Sequence, residues 1–334
     1  MKSKTVGDRY SDKTVLITGG AGCIGSNLTR TLIGHSAKRI VILDDFSASY
    51  EWNVPKSKSV TVIKGSILDE QKLSKAFSFK PDYVFHLAAH FANQNSVDHP
   101  EADLAVNGQG TYKVLERSRQ AKVERVVYAS SGCSVYGSNA PLPLKEDFVS
   151  LHLDTPYQIN KLVGELYCNY FQDYYGYPVA IARYFNVYGP GEVPGRYRNV
   201  IPNFMLWAMN GKPLPVMGTG KETRDFTFVE DIVEGNLRMG VTPGAAGEAI
   251  NLASGVETRV IDLANQINEL TGNKAGIEYK KKRDWDKSNR RRASIEKARR
   301  ILGYDPSTKF SDGLSAVKRW FQHNWKDIES SASF

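Results

Sequence analysis

Short apolar runs alternate with longer amphipathic stretches through the first half of the chain. Thr14-Val15-Leu16-Ile17, Arg39-Ile40-Val41-Ile42-Leu43, Val60-Thr61-Val62-Ile63, Tyr83-Val84-Phe85-His86-Leu87 and Arg125-Val126-Val127-Tyr128-Ala129 are β-branched and too short for helices. Each predicts a buried strand. Ile24, Leu28 and Leu32 recur at helical spacing, Leu73–Phe79 forms a second helical stretch, and Val114-Leu115-Glu116 lies in a third. Strands and helices alternating at this spacing predict an α/β fold, a doubly wound parallel sheet whose ligands meet the carboxyl ends of the strands.

The first strand and helix are joined by Thr18-Gly19-Gly20-Ala21-Gly22-Cys23-Ile24-Gly25. Glycines permit positive φ and close approach of backbone to a pyrophosphate, and the helix N-terminus adds free N–H groups and a partial positive charge. Strand, glycine turn, helix is the context a dinucleotide fingerprint requires. Asp44 ends the second strand about 20 residues later, where a carboxylate accepts hydrogen bonds from ribose hydroxyls and repels a 2′-phosphate. The predicted cofactor is therefore NAD rather than NADP, bound by a Rossmann domain over 1–185. The strand-like Thr227-Phe228-Val229 and Ala249-Ile250-Asn251-Leu252 predict that 226–254 returns to it. Residues 186–225 and 255–334 are then a smaller C-terminal α/β substrate-binding domain, with Ser330–Phe334 expected to be disordered.

The fifth strand runs into Ser130-Ser131-Gly132-Cys133-Ser134, a hydroxyl-rich strand end where substrate would meet cofactor. Tyr157 and Lys161 follow, four apart and so on one face of a helix. A phenol near pKa 10 is a weak base at neutral pH. A neighbouring ammonium and a positive nicotinamide lower its pKa, which makes Tyr157 the expected base and Lys161 its tuner.

Composition changes this picture little. Apolar residues make up 41% and charged residues 24%, as in ordinary soluble globular proteins. Met1–Lys13 is polar and has no signal-peptide core, and no apolar run approaches a transmembrane helix, so no membrane role is expected. Cys23, Cys133 and Cys168 are widely separated, which argues against disulfides and a metal site and for the reducing cytosol. The formal charge of +8 is concentrated late, in Lys280–Arg283, Arg290–Arg292 and Arg299-Arg300. No nucleic-acid motif accompanies it, so an anionic small-molecule substrate is the expected use.

The chain from roughly Lys13 to Phe321 resembles the extended short-chain dehydrogenase/reductases, in their nucleotide-sugar epimerase and dehydratase branch. The resemblance rests on Thr18–Gly25, Phe85–Ala89, Asn107–Thr111, Tyr157–Lys161, Arg183–Gly191, Val200-Ile201-Pro202, Thr223–Phe226 and Lys297-Ala298 with Leu302-Gly303-Tyr304. It implies an enzyme in which a tyrosinate takes a sugar hydroxyl's proton while hydride passes to a retained NAD. The keto sugar then turns over and hydride returns to its other face. It also implies cofactor contacts from Gly19, Gly22, Cys23, Ile24, Gly25, Asp44, Ser66, Ile67, Leu87, Ala88, Ala89, Asn107, Tyr157 and Lys161. For the nucleotide diphosphate sugar it implies Asn186, Asn199, Arg224 and Arg283, with Asp286 on the nucleotide ribose. Relatives of this kind dimerise through two helices, here those containing Leu104–Arg119 and Tyr157–Tyr174.

Three departures stand out. The strand end has five small residues before Val135-Tyr136-Gly137 where the family has four. Counting from the strand makes Ser131 the catalytic hydroxyl, and counting back from Tyr136 gives Gly132. Cys133 is either a packed residue or an acid/base group like the cysteine of 3,5-epimerising relatives. His90 follows the fourth strand, where a histidine can pack or transfer protons, and Ser66 replaces an acidic residue expected at the adenine. The strand-end loop lacks the carboxylates of 4,6-dehydratases and of the decarboxylating branch. Epimerisation at C4 is therefore the expected reaction, ahead of dehydration or of 3,5- or 2-epimerisation. A non-catalytic NAD(H) sensor or an RNA-associated relative commonly loses the tyrosine or the lysine, and this chain has both.

Overall fold

The computed structural model describes residues 5–334, so the expectations for Met1–Lys13 and for the start of the first domain lie partly outside the described residues. Seven parallel strands form the central sheet: β1 (Thr14–Thr18), β2 (Arg39–Asp44), β3 (Val60–Lys64), β4 (Tyr83–His86), β5 (Arg125–Ser131), β6 (Val179–Tyr184) and β7 (Ala249–Leu252). Their order is β7-β6-β5-β4-β1-β2-β3, so the order reverses between β1 and β4 and opens a crevice there. Every residue of β1 is buried, as a strand covered on both faces requires. Alternate side chains feed two cores. Val15 and Ile17 pack with Leu28, Phe85 and Leu237 on one face, and Leu16 packs with Val84, Leu115 and Phe171 on the other.

The covering helices include α1 (Cys23–Gly34), α2 (Glu70–Phe77), α3 (Thr111–Gln120), α4 (Pro156–Tyr175) and α5 (Val229–Val241). α4 has clear start and stop signals: Thr155 caps it by accepting from the Gln158 N–H, Pro156 occupies its first turn, and Gly176 ends it at φ 61°. Two expected elements differ. The helix expected from Leu104 begins with a wide π-type turn over Leu104–Gly110 before α3, which swings Asn107 inward. Thr227-Phe228 pairs with Val187-Tyr188 outside the central sheet, and Val229 opens α5, which packs on α1, β5 and β6. Only β7 of the returning segment joins the sheet.

Helices over Val200–Met209, Val260–Thr271 and Phe310–His323 bury a third apolar cluster, with Phe204, Met205, Leu263, Ile267, Leu314 and Phe321 inside it. The tail expected to be disordered is packed instead. The Ser331 carbonyl accepts from Tyr50 Oη at 2.7 Å, the Ser333 carbonyl accepts from the Arg196 N–H at 2.7 Å, and the Phe334 ring lies 5.4 Å from Trp207. Aromatic partners distant in sequence supply the burial that the polar tail lacks alone.

At the crevice, His86 is buried between two hydroxyls, Nδ1 at 2.7 Å from Thr18 Oγ1 and Nε2 at 3.1 Å from Thr111 Oγ1. Burial, with the charge of Lys161, lowers its pKa to about 3. The unfolded chain protonates His86 below its ordinary value of about 6.5, so stability falls as pH drops through this window, by about 2 kcal/mol between pH 7 and pH 5. Urea unfolding of the wild type and of His86→Gln at both pH values should show the variant weaker at pH 7 but losing about 2 kcal/mol less on acidification. Equal losses would remove His86 as the source.

Candidate active site

A cavity of about 520 Å³ runs along the carboxyl ends of the strands, from the glycine turn to the basic segment near Arg283. Of the residues implied by resemblance, Gly19, Gly22, Cys23, Ile24, Gly25, Asp44, Ser66, Ile67, Leu87, Ala88 and Ala89 line one end. Ser131, Tyr157 and Lys161 line its floor, and Asn186, Asn199, Arg224, Arg283 and Asp286 line the remainder. Asn107 is the exception. Its amide accepts from the His90 N–H at 3.0 Å and donates to the His90 carbonyl at 3.1 Å and to Asp103 at 2.8 Å. It shapes the loop after β4 from behind rather than forming the cavity wall.

The turn is built to admit backbone and exclude side chains. Gly19 sits at φ 72°, and a Cβ there would lie 2.6 Å from the Ala88 nitrogen. A Cβ on Gly25 would lie 2.5 Å from the Gly19 carbonyl oxygen. The N-cap Gly22 has no capping side chain, so the first N–H groups of α1 remain available to an anion. Asp44 Oδ2 accepts from the Ala21 N–H at 2.9 Å, and Oδ1 accepts from Phe46 N–H at 2.9 Å and Ser49 Oγ at 2.7 Å. Each carboxylate oxygen has a second lone pair, so Oδ2 retains acceptor capacity for a ribose hydroxyl. Ser66 Oγ accepts from the Leu68 N–H at 3.1 Å, leaving its own proton to donate. These groups fit NAD.

At the floor, Lys161 Nζ donates to the Ala129 carbonyl at 2.9 Å and lies 5.6 Å from the centre of the Tyr157 ring. Burial lowers the lysine's pKa to about 8. The tyrosine's is raised, by burial first and then by the charges of Asp103 and Cys133. The lowering expected from Lys161 is therefore not produced by the side chains alone: burial and the charges of Asp103 and Cys133 set the direction. Ser131 Oγ accepts from Ser134 Oγ at 2.9 Å. β5 extends through Ser131, and Gly132 begins the turn that follows, where a Cβ would lie 2.1 Å from the Phe185 ring. The extra small residue is accommodated as this helical turn. Cys133 donates through Sγ to Asn186 Oδ1 at 3.3 Å, and burial raises its pKa. His90 Nδ1 lies 3.7 Å from Asp103 Oδ2, beyond hydrogen-bonding distance.

Across the cavity, Arg224 Nη2 binds Asp286 Oδ2 at 2.8 Å, while Nη1 donates to the Thr223 carbonyl at 2.8 Å. Arg283 is exposed, its guanidinium 5.8 Å from the Trp285 ring centre. Trp285 Nε1 reaches back to Gln94 Oε1 at 2.8 Å, and Lys287 pairs with Asp154 at 2.8 Å, so the basic segment is strapped over the crevice.

A family model described as the NAD dependent epimerase/dehydratase family matches residues 15–253. The chain belongs to the NAD-dependent epimerase/dehydratase family. It is 34% identical over 313 residues to a UDP-glucose 4-epimerase of Mycolicibacterium smegmatis, covering 92% of this chain and 98% of that one. The solved structure of epimerase Mth375 from Methanothermobacter thermautotrophicus superposes with a TM-score of 0.97 at 57% identity, over 98% of both chains. That of the Bordetella bronchiseptica enzyme WbmF in complex with NAD+ and UDP does so with a TM-score of 0.85 at 37% identity, over 97% of this chain and 96% of that one.

Several residues of this epimerase/dehydratase cavity escape motif reasoning. Phe91 places its ring edge-on to Tyr157 at 6.0 Å. Glu192 is buried beside the glycine turn, its pKa raised to about 7 by burial, and it accepts from Asn199 Nδ2 at 2.8 Å. Arg291 is buried at the cavity wall. None sits in a spacing that announces it; only the run Arg290–Arg292 hinted at the last.

Two glycines of α1 separate the close approach from helix propensity. Gly25→Ala should destabilise by about 1–3 kcal/mol through overpacking and yield protein purified without NAD. Gly34→Ala, where a Cβ meets nothing within 4 Å, should be neutral or stabilise by about 0.4–1 kcal/mol. Full NAD occupancy and an unchanged melting temperature in Gly25→Ala would contradict the packing described.

Proposed function

We propose that this chain is a nucleotide-sugar epimerase that inverts C4 through a transient 4-keto sugar while keeping and recycling its NAD. The observation that carries the reading is the convergence of Ser131, Tyr157 and Lys161 on one cavity floor, opposite Arg224 and Asp286, with no carboxylate in the turn after β5. A dehydratase needs an acid/base pair to expel water, and Gly132-Cys133-Ser134 supplies none.

NAD, when bound, supplies a hydride acceptor and a positively charged ring. Tyr157 Oη is the atom that takes the C4 hydroxyl's proton and later gives it back. With its pKa raised by burial, the phenol remains protonated until positive charge is added, so Lys161 contributes only together with the cofactor. Lys161, anchored by the Ala129 carbonyl, also holds the nicotinamide ribose. Ser131, oriented by Ser134, positions the sugar hydroxyl. Arg224 holds the diphosphate, with Arg283 closing from the exposed side, since guanidinium forks match phosphate oxygens. Asp286 releases part of its hold on Arg224 to accept a ribose hydroxyl, and Asn186 and Asn199 line the path between. Arg224 stays anchored meanwhile by its hydrogen bond to the Thr223 carbonyl.

The same reading includes a homodimer. Leu104, Tyr112, Leu166, Tyr170 and Tyr174 leave large apolar surface exposed on the two helices expected to pair. A dimeric mass by light scattering, reverting to monomer in Leu166→Glu, is the expected outcome; a monomeric wild type would remove this part.

Incubated with nucleotide sugars, the NAD-loaded protein should show transient absorbance near 340 nm and form the C4 epimer. Tyr157→Phe should lose turnover by at least about a hundredfold, on the scale of general acid–base catalysis, yet retain NAD. Undiminished turnover in the variant, or a wild type that never reduces its NAD, would refute the reading.

A further inference from the structure

The late basic run has mostly found partners within the protein. Lys280 pairs with Glu278, Lys281 with Asp284, Lys287 with Asp154, and Arg290 grips Glu257 at 2.6 and 2.9 Å. Arg224 is shared between Asp286 and the Thr223 carbonyl. Arg291 differs. Only 7% of it is exposed, and among the described residues its guanidinium has neither a hydrogen bond nor an ion pair. A guanidinium cannot shed its proton, so a buried one must find an anion or remain uncompensated.

Its position indicates where that anion belongs. Arg291 lines the cavity, and the charged groups that bear on it are the Cys133 thiol, Arg224, Asp286 and Asp154, the two carboxylates being already paired with Arg224 and Lys287. Cys133 is an electrostatic neighbour of both Tyr157 and Arg224, so the cavity wall at Arg291 lies within reach of the reacting end as well as of the guanidinium assigned to the diphosphate. The backbone just beyond Arg291 is pinned: the Arg292 carbonyl accepts from the Leu144 N–H at 2.8 Å, and the Ala293 N–H donates to Asp225 at 3.2 Å. The side chain is therefore presented from backbone held beside the isolated Leu144–Ala293 bridge, unlike the exposed Arg283.

We propose that Arg291 binds a carboxylate carried by the sugar, so that the enzyme selects nucleotide uronates over neutral nucleotide sugars. The inference rests on the nucleotide-sugar reading above. A carboxylate at C6 is attached to C5, the neighbour of the carbon brought to Tyr157, and so belongs at this end of the site. The diphosphate lies with Arg224, further from the reacting carbon. Bidentate pairing with the carboxylate would supply the acceptors that Arg291 lacks and leave a neutral hydroxymethyl group poorly matched.

The test compares UDP, UDP-glucose and UDP-glucuronate binding to NAD-loaded protein by calorimetry, in the wild type, Arg291→Gln and Arg291→Lys. The wild type should bind UDP-glucuronate about tenfold to a hundredfold more tightly than UDP-glucose, as a charged hydrogen-bonded contact requires. Arg291→Gln should erase that preference while holding UDP and UDP-glucose as before, and unchanged UDP affinity and NAD content show that the fold is intact. Arg291→Lys should keep part of the preference through its charge. An equal loss for all three ligands in Arg291→Gln would make Arg291 a diphosphate residue and overturn the proposal, as would a wild type indifferent to the carboxylate. Because the preference is read in binding, it stands apart from turnover: a wild type that prefers the uronate but reduces its NAD with no nucleotide sugar would sink the epimerase reading alone.

Discussion

Glu165 and Arg183 meet deep in the protein in a two-pronged ion pair, Nε to Oε1 at 3.0 Å and Nη2 to Oε2 at 2.8 Å. Ser130 Oγ also donates to Glu165, and Arg183 Nη1 donates to Tyr136 Oη at 3.1 Å, whose own hydroxyl donates to Asn251 at 2.7 Å. Tyr157, Lys161 and Glu165 are successive turns of one stripe on α4. The pair therefore sets the rotation of that helix as well as its distance from β5 and β6, and with it the direction in which the phenol points. Removing one partner of such a buried pair typically destabilises by about 3–5 kcal/mol, because the other charge is left uncompensated. The site's geometry depends on this contact although neither residue touches the cavity's reacting end.

Electrostatics divides the cavity into two regimes. At the glycine turn the protein offers helix N–H groups and one carboxylate, a cradle for a dinucleotide. At the opposite end it offers guanidinium groups above a floor where burial disfavours charge on both Tyr157 and Lys161. Burial holds the phenol in its neutral form. In the proposed mechanism the base therefore forms only with cofactor charge beside it, which ties the proposed chemistry to cofactor occupancy.

Much of this was legible in the chain. The β1–turn–α1 unit is local: apolar run, glycines and helical period lie within about 20 residues, and backbone sterics leave few alternatives. Tyr157 and Lys161 are readable for the same reason, since a four-residue interval has one meaning on a helix. The extra residue before Val135 was ambiguous because a count cannot decide whether a strand ends late or a loop lengthens. The Phe185 ring against Gly132 decides it, and that contact joins residues 53 positions apart. The wide turn at Leu104–Gly110 aims the Asn107 amide at the His90 backbone, and nothing in Asn-Gly-Gln-Gly foretells such a turn. Arg291 was hidden among charges: a run of three arginines does not say which one is buried. The order of the tail is hidden in its own polar sequence because Tyr50, Trp52 and Trp207, which hold it, are distant in the chain.

The most direct measurement follows one hydrogen atom. A nucleotide sugar accepted by the enzyme and deuterated at C4 is brought to equilibrium with the NAD-loaded protein in ordinary water, and both epimers are examined by NMR and mass spectrometry. Removal of hydride from C4 and its return to the opposite face within one site predict that the inverted product keeps deuterium at C4 and gains no solvent hydrogen at any carbon. Washout of the label, or solvent hydrogen appearing at C3 or C5, would contradict the mechanism built on Tyr157.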